Sequence, residues 1–359
     1  MFNHAKRVWM ITDLHFGVRS NSREWMEIQR DYFFDFFLPL VNKERSAGDM
    51  LLILGDVYDN RQAIGLPVMK MGLEIFDELV AAFPDGVVTF VGNHDVWGKN
   101  SNEINSLEMF KKVKGLTIYT EPTIVNFGRS KFLIMPWRKD HAAEAECLKQ
   151  FDGQADYLAC HSDIQGAKFN KSVTIEEGCD ISCYSSFKKV YTGHIHYSQD
   201  IEPNIRLLGC PYQMTRSDSY NRKGVTILDL ATGKDRFIEN NFSPRFIRVG
   251  LNEMLDMTPV QAKKVCRNNF VDITVDSQTA LRAPLSMLVD LLDNSYRKID
   301  FQVVSKSQAL PDVEVEVGTG FDFVSLMESY VKEMPYEDET KGKVFESLKK
   351  LHKMAEQKT

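Results

Sequence analysis

Five of the chain's eight histidines fall just after apolar runs: two in clusters with aspartate or asparagine, two paired with each other and one alone. The clusters are Asp13-Leu14-His15, Gly55-Asp56-Val57-Tyr58-Asp59, Gly92-Asn93-His94-Asp95, His161 and Gly193-His194-Ile195-His196. Each follows a run that reads as a buried strand. Four imidazoles, two aspartates and one asparagine carbonyl make a mixed nitrogen and oxygen shell for borderline or hard divalent ions. No thiolate is among them, which argues against a structural zinc site. A lone histidine at a strand end is ordinarily just a hydrogen-bonded side chain, and a lone Gly-Asp occurs by chance in many chains. The joint occurrence in one context is what points to a common site. Glycines beside Asp56, Asn93 and His194 let the backbone turn sharply there. His4, His141 and His352 fall outside the clusters and read as surface residues.

The elements that must position these groups alternate. Arg7–Thr12, Met50–Leu54, Gly86–Val91 and Tyr157–Cys160 read as strands, and Arg23–Arg45, Ala63–Phe83 and Asn102–Lys112 carry helical periodicity. Phe33, Phe34, Phe36 and Phe37 read as helix core rather than a ligand box. Such alternation implies a layered α/β domain with strands in the middle, whose strand ends form the ligand crevice. After about Val190 the pattern changes to short strands and turns, as at Ile205–Leu208 and Gly224–Leu230. Asn240–Pro244 is a turn-rich break. Beyond it Arg245–Val249, Phe270–Val275 and Ile299–Val304 read as strands, with helices at Pro259–Cys266 and Ala283–Leu292. A linker over 306–320 precedes two amphipathic helices, Phe323–Lys332 and Lys343–Ala355.

At 359 residues the chain is long enough for two or three domains of about 150 residues. It is 43% hydrophobic and 26% charged, the balance of a globular protein. A net charge of −6, from 44 basic and 50 acidic side chains, excludes a protein that holds nucleic acid mainly by a strongly basic surface. It leaves room for a nuclease whose metal ions supply positive charge locally. The N-terminus lacks the apolar run of a signal peptide, and the most apolar stretch, Tyr32–Val41, is broken by Asp35 and Pro39. The expectation is a cytoplasmic protein with no membrane segment. The six cysteines, with no Cys-x-x-Cys pair, read as free thiols.

The series Asp-x-His, Gly-Asp-x-x-Asp, Gly-Asn-His-Asp, His and Gly-His-x-His resembles the calcineurin-like metallophosphoesterase superfamily, over about residues 7–240. The stretches HFGVRSNSREW from His15, GNHDVWGKN from Gly92, Met135–Trp137 and GCPYQMT from Gly209 are similar to the nuclease subunit of SbcCD-type recombination complexes, phage versions above all. The resemblance implies an α/β (α+β) fold: a four-layer metallophosphoesterase β-sandwich flanked by helices (1–240), a small α/β capping domain that binds DNA (241–305) and a C-terminal helical tail (321–359). It implies two divalent ions, manganese first and magnesium as the alternative. Asp13, His15, Asp56 and His196 would hold one. Asp56, Asn93, His161 and His194 would hold the other, with Asp56 bridging. A hydroxide activated by the two metals would attack the phosphodiester. His94 would stabilise the transition state or protonate the leaving oxygen, with Asp95 orienting it and Asp59 in support.

The activity so implied is duplex-end exonuclease and single-strand endonuclease cleavage in DNA recombination and repair. The implied partners are DNA and a coiled-coil ABC-type ATPase, in a heterotetramer built on a homodimer of this chain, inside the host cytoplasm. Phe323, Met327, Phe345, Leu348 and Leu351, on the apolar faces of the tail helices, would meet the ATPase. Arg216, Arg222 and Lys223 follow the last motif in a polar segment and read either as phosphate contacts or as a solvated loop. A phosphoprotein phosphatase or small-molecule phosphodiesterase is the rival reading, since Gly55–Arg61 (GDVYDNR) echoes the phosphatase motif. Those enzymes, however, open on Gly-Asp-x-His-Gly and carry Gly-Asn-His-Glu. A third reading is a non-catalytic regulator of an ATPase, and the complete ligand set counts against it.

Overall fold

Successive residues of β1 (Arg7–Ile11) point to opposite faces, and both faces are buried. Val8 and Met10 enter one apolar layer with Leu52, Phe90, Phe132 and Tyr191, while Trp9 and Ile11 enter another with Phe33, Phe37, Ile75 and Phe76. In β2 (Asp49–Ile53) Met50 and Leu52 take the first layer, Leu51 and Ile53 the second. Strands covered on both sides read as unbroken apolar runs. The computed structural model describes residues 2–98, 101–276, 298–304, 341–343 and 345–346. The chain divides into two units, Met1–Lys306 and Ser307–Thr359.

Among the described residues, β1 and β2 join β3 (Val87–Phe90), β4 (Leu116–Tyr119), β11 (Gly224–Asp229) and β12 (Asp235–Glu239) in a six-stranded sheet of order β12-β11-β1-β2-β3-β4. A second six-stranded sheet holds β5 (Thr123–Phe127), β6 (Ser130–Met135), β7 (Tyr157–His161), β8 (Lys189–Gly193), β9 (Gln199–Glu202) and β10 (Ile205–Leu207), in the order β5-β6-β7-β8-β10-β9. β1 to β4 run parallel, as do β6, β7, β8 and β10. The sheets meet face to face through the first apolar layer. Helices close the outer faces, with Leu66–Ala82 on one side and His141–Gln150 on the other. This is the four-layer sandwich that the resemblance implies.

The helical stretch 23–44 comprises Arg23–Asp31, a π-helical turn Tyr32–Phe37 and Leu38–Glu44. Phe33 and Phe37 are fully buried in it, with Phe34 and Phe36 packed partly against the same layer, so the aromatic cluster is core. Helix Leu66–Ala82 begins with proline in its first turn and buries Val68, Met71, Ile75, Phe76 and Leu79 against its own sheet. Its apolar stripe is thus covered within the chain. The helix expected over Asn102–Lys112 is absent; only a five-residue 3₁₀ turn forms, Ser106–Phe110. Side chains there take other bonds: Asn105 Oδ1 accepts from Leu107 N at 3.1 Å, and Ser106 Oγ donates to Asp95 at 2.8 Å. Such local bonds compete with helix propagation.

The Asn240 side chain makes the break after β12. It accepts from the backbone N–H groups of Phe242 and Ser243 at 3.0 Å each and donates to Pro211 O at 2.9 Å. A third, parallel sheet follows, from β13 (Phe246–Gly250), β14 (Phe270–Asp276) and β15 (Lys298–Val304). Helices Leu251–Asp256 and Pro259–Cys266 connect its first two strands. Trp25 fastens this sheet to the main core, its ring stacking 5.5 Å from Phe270 and 6.3 Å from Phe246. The expected helix Ala283–Leu292 and linker 306–320 lie outside the described residues. So does the tail apart from 341–343 and 345–346, which are helical. Phe323, Met327, Leu348 and Leu351 are therefore not placed. Among the described residues no helix is long and apolar enough to cross a membrane. Trp25→Ala should cost about 3–5 kcal/mol of stability, read by urea unfolding. A loss below about 1 kcal/mol would show that this stack does not hold the third sheet.

Candidate metal centre

The loops leaving β1 and β2 run side by side. Asp13 N donates to Gly55 O at 3.2 Å, His15 N to Asp56 O at 3.1 Å and Phe16 N to Val57 O at 2.8 Å. This pairing holds Asp13, His15 and Asp56 at φ values of 54°, 45° and 51°, and His194 after β8 stands at 79°. Left-handed backbone is costly for side chains of these types and persists where the surroundings over-determine it. Gln29 supplies part of that constraint, donating to the carbonyls of Leu14 and His15 at 3.0 and 2.8 Å, and Tyr212 donates to Leu14 O as well. Gly55 turns at φ 86°. Gly92 serves differently: a Cβ there would stand 2.2 Å from Asp56 Oδ1, so only glycine lets the third loop approach the carboxylate.

Asp13, His15, Asp56, Asn93, His161, His194 and His196 come together at the ends of five strands from both sheets. Asp56 Oδ2 lies 3.6 Å from His15 Nε2 on one side and 3.3 Å from His161 Nε2 on the other. Asn93 Oδ1 is approached by His161 Nε2 at 2.9 Å and His194 Nδ1 at 2.8 Å. His15 Nε2 and His196 Nε2 are 3.0 Å apart, and Asp13 Oδ1 is 3.8 and 3.9 Å from them. Two imidazole nitrogens at that distance need a shared proton or a shared cation. The donors form two groups compact enough to hold a metal ion, Asp13-His15-His196 and Asp56-His161-His194, and a third, His15-Asp56-His94, shares a member with each. The far nitrogens are anchored: His161 Nδ1 bonds Leu54 O at 2.7 Å and His194 Nε2 meets Asp163 at 2.8 Å. Such anchors fix which nitrogen faces an ion.

The site is buried yet charged. Burial opposes ionisation of Asp56, but His161 and His15 hold its carboxyl well below the usual range. Burial likewise opposes a charge on His161, and Asp56 nonetheless raises it to about 9. Burial and the neighbouring His15 push His196 down to about 4. The crevice therefore favours positive charge, and a divalent ion held among these groups would supply it.

His94 sits on the rim. Its backbone N–H donates to Asp56 Oδ1 at 2.7 Å, and its Nδ1 bonds Asp59 O at 2.6 Å, leaving Nε2 for other partners. Asp59 turns its carboxylate to His15 Nδ1 at 3.2 Å. The expectation that Asp95 orients His94 is corrected. The Asp95 carboxylate accepts from the N–H groups of Val57, Tyr58 and Gly92 and from Ser106 Oγ, so it clamps the loops after β2 and β3 together.

Residues 6–198 match the calcineurin-like phosphoesterases. The chain belongs to that family. It is a metal-dependent phosphoester hydrolase, and the His and Asp groups gathered here could hold divalent ions. Over 339 residues this phosphoesterase is 26% identical to exonuclease subunit 1 of Enterobacteria phage T4, with 92% of this chain and 93% of that one covered. It is 24% identical over 258 residues to the SbcD nuclease subunit of Staphylococcus saprophyticus, covering 63% of this chain and 66% of that one.

Of the three basic residues read either as phosphate contacts or as a solvated loop, Arg216 and Lys223 are committed to the fold and Arg222 stays on the surface. Arg216 pairs with Asp272 of β14 through two bonds of 2.7 and 2.9 Å, tying the third sheet to the phosphoesterase sandwich. Arg222 pairs with Glu239 at 2.8 Å while staying exposed. Lys223 is 4% exposed, and its ammonium donates to Asp218 Oδ1 and to His196 O, each at 2.6 Å. Lys223 is thus a buried strut for the His196 loop and no phosphate contact. Its ammonium already fills the cation's place among His196, Cys210 and Asp218. Sequence reasoning missed Asp163, Gln29 and Asp218. Only Asp163 carried a signal, lying two residues beyond His161.

Lys223→Met should lower stability by about 3–5 kcal/mol, because it leaves Asp218 buried and unpaired. A phosphate-binding lysine would instead change the salt dependence of nucleic-acid binding at nearly constant stability. Burial works against the Asp218 charge, but Lys223 holds its carboxyl at about 2, below the ordinary 3.8. The pair's contribution is therefore complete above the ordinary value and lost as pH falls toward about 2. Urea unfolding of both proteins across that window checks the sign.

Proposed function

We propose that this phosphoesterase is the nuclease subunit of a DNA-processing complex, hydrolysing phosphodiester bonds at duplex ends and in single strands. One observation carries the reading. The match to a phage exonuclease subunit runs over 92% of this chain, far beyond residues 6–198, and so takes in the third sheet that a bare phosphatase does not need. In this reading residues 1–240 are the nuclease domain, 241–305 cap the DNA groove, and 321–359 dock on a partner ATPase with a long coiled coil. Phe323, Met327, Phe345, Leu348 and Leu351 belong to that docking face. Relatives named as subunits support the idea of a partner.

Asp13, His15, Asp56 and His196 are assigned to one ion, and Asp56, Asn93, His161 and His194 to the other. Four imidazoles favour manganese over magnesium, which prefers an oxygen-rich octahedral shell. When bound, the ions supply Lewis acidity and a water of lowered pKa. His94, anchored through Nδ1 on the Asp59 carbonyl, presents Nε2 to exchange a proton with the leaving oxygen.

Chelation should abolish cleavage of linear duplex and single-stranded DNA, manganese should restore it, and magnesium should restore it poorly. Full recovery in magnesium with no gain from manganese would overturn the assignment. Hydrolysis of a phosphomonoester with no cleavage of any DNA would favour the phosphatase reading. Metal counting then separates ligand from catalyst. Asp56→Ala should lose bound manganese, whereas His94→Ala should keep both ions and lose cleavage by about 10²–10⁴-fold. Loss of an ion from His94→Ala would make His94 a ligand.

A further inference from the structure

Tyr220 is a bulky side chain held where the fold gains little from it. Its φ of 64° lies in the left-handed region that tyrosine rarely enters, and 75% of the residue is exposed. Strain of this kind persists where surrounding bonds impose it, most often beside functional sites. Those bonds are present. The hydroxyl donates to Arg248 O at 3.3 Å, and Lys171 Nζ stands 5.7 Å from the ring centroid. The next residue, Asn221, is fastened to Ser198 by both side-chain atoms, accepting from its N–H at 2.9 Å and donating to its carbonyl at 3.1 Å. Ser198 is two residues beyond His196, so the ring is held in a fixed place beside the metal-centre loop.

Tyr220 also lines a cleft of about 360 Å³ between residues 220–223 and the entry to the third sheet at Ser243–Ile247. That volume is in the range of small-ligand pockets, which run from about 300 Å³ upward. Arg222 and Arg245 line the same cleft, and the carboxylate on its wall, Glu239, is already engaged by Arg222. A rigid exposed ring with guanidinium groups beside it is the chemistry that takes a nucleobase and its phosphate.

We propose that Tyr220 is a stacking platform for an unpaired nucleobase of a DNA strand engaged at the metal centre, with Arg245 facing the neighbouring phosphates. The inference rests on the nuclease reading above and narrows its substrate. Bases inside a duplex are already stacked, so the platform acts on single strands and opened ends.

The test measures binding to the full-length protein by fluorescence anisotropy. The probes are a phosphorothioate-linked oligothymidylate, which resists hydrolysis, and a blunt duplex. Glycine is at ease at this φ, so Tyr220→Gly should unfold at or above the wild-type midpoint, which removes misfolding as an explanation. It should bind the single strand about 5- to 150-fold more weakly, the worth of one base–aromatic stack. Tyr220→Phe keeps the ring and should stay within about threefold of wild type on the single strand. Undiminished single-strand affinity in Tyr220→Gly, or an equal loss on the blunt duplex, would overturn the platform while leaving the nuclease reading intact. If the wild-type protein hydrolyses bis(p-nitrophenyl) phosphate but neither binds nor cuts any oligonucleotide, the nuclease reading itself falls, and the platform with it.

Discussion

A carboxylate that is fully buried and must stay charged organises this molecule. Asp56 is 1% exposed, and taking such a group out of water is tolerable only if positive charge and hydrogen-bond donors surround it. The donors come from three directions. His15 reaches it from the loop after β1, the His94 N–H from the loop after β3, and His161 from the end of β7 in the opposite sheet. Because His161 also bonds the Leu54 carbonyl through its other nitrogen, the same imidazole links the two sheets at the strand ends. The facing of the two sheets and the convergence of the donors are therefore one arrangement. A relative slide of the sheets would take His161 from Asp56 and leave the buried charge short of one of its three partners.

The strain in the site follows from the same requirement. A donor placed directly after a strand points to one face of the sheet unless the backbone turns, and at Asp13, His15, Asp56 and His194 it turns through left-handed conformations. The loops after β1 and β2 brace each other, Gln29 and Tyr212 hold the first from behind, and Asp95 clamps the second to the third. Each brace is a buried polar group with its partners satisfied, so the region is rigid before any ion or substrate arrives.

How much of this the sequence disclosed depends on whether the causes are local. Strands buried on both faces announce themselves as apolar runs, so β1, β2, β3 and β7 were legible within a residue or two, as were the donor clusters behind them. The flanking strands β4 and β5 have half-buried positions and carry no such signature. Asn102–Lys112 showed helical periodicity, but its Asn and Ser side chains were committed to bonds that periodicity does not report. Lys223 was the hardest case. A lysine in a polar segment near a phosphate site looks like a ligand for phosphate, and only the fold shows its ammonium closed over by Asp218 and the His196 carbonyl. Asp95 was misplaced for a related reason: adjacency to His94 in sequence says nothing of the four donors that gather on its carboxylate from three loops.

The fate of those cations bears on how an acidic chain meets a polyanion. Arg216 spends its charge on Asp272, and Lys223 spends its own on Asp218, so two of the three basic groups beside the last motif serve the fold. With a net charge of −6, the chain as a whole gains no long-range attraction to DNA, and whatever holds a strand has to act at short range. Ions bound among the seven donors would concentrate positive charge at the scissile phosphate itself, where it favours the transition state more than the encounter. A flat ring at Tyr220 would add attraction that carries no charge and is indifferent to base identity. A nuclease built on those two contributions would select for strand opening over sequence, because a stacking platform is open only to bases that have left their own stack.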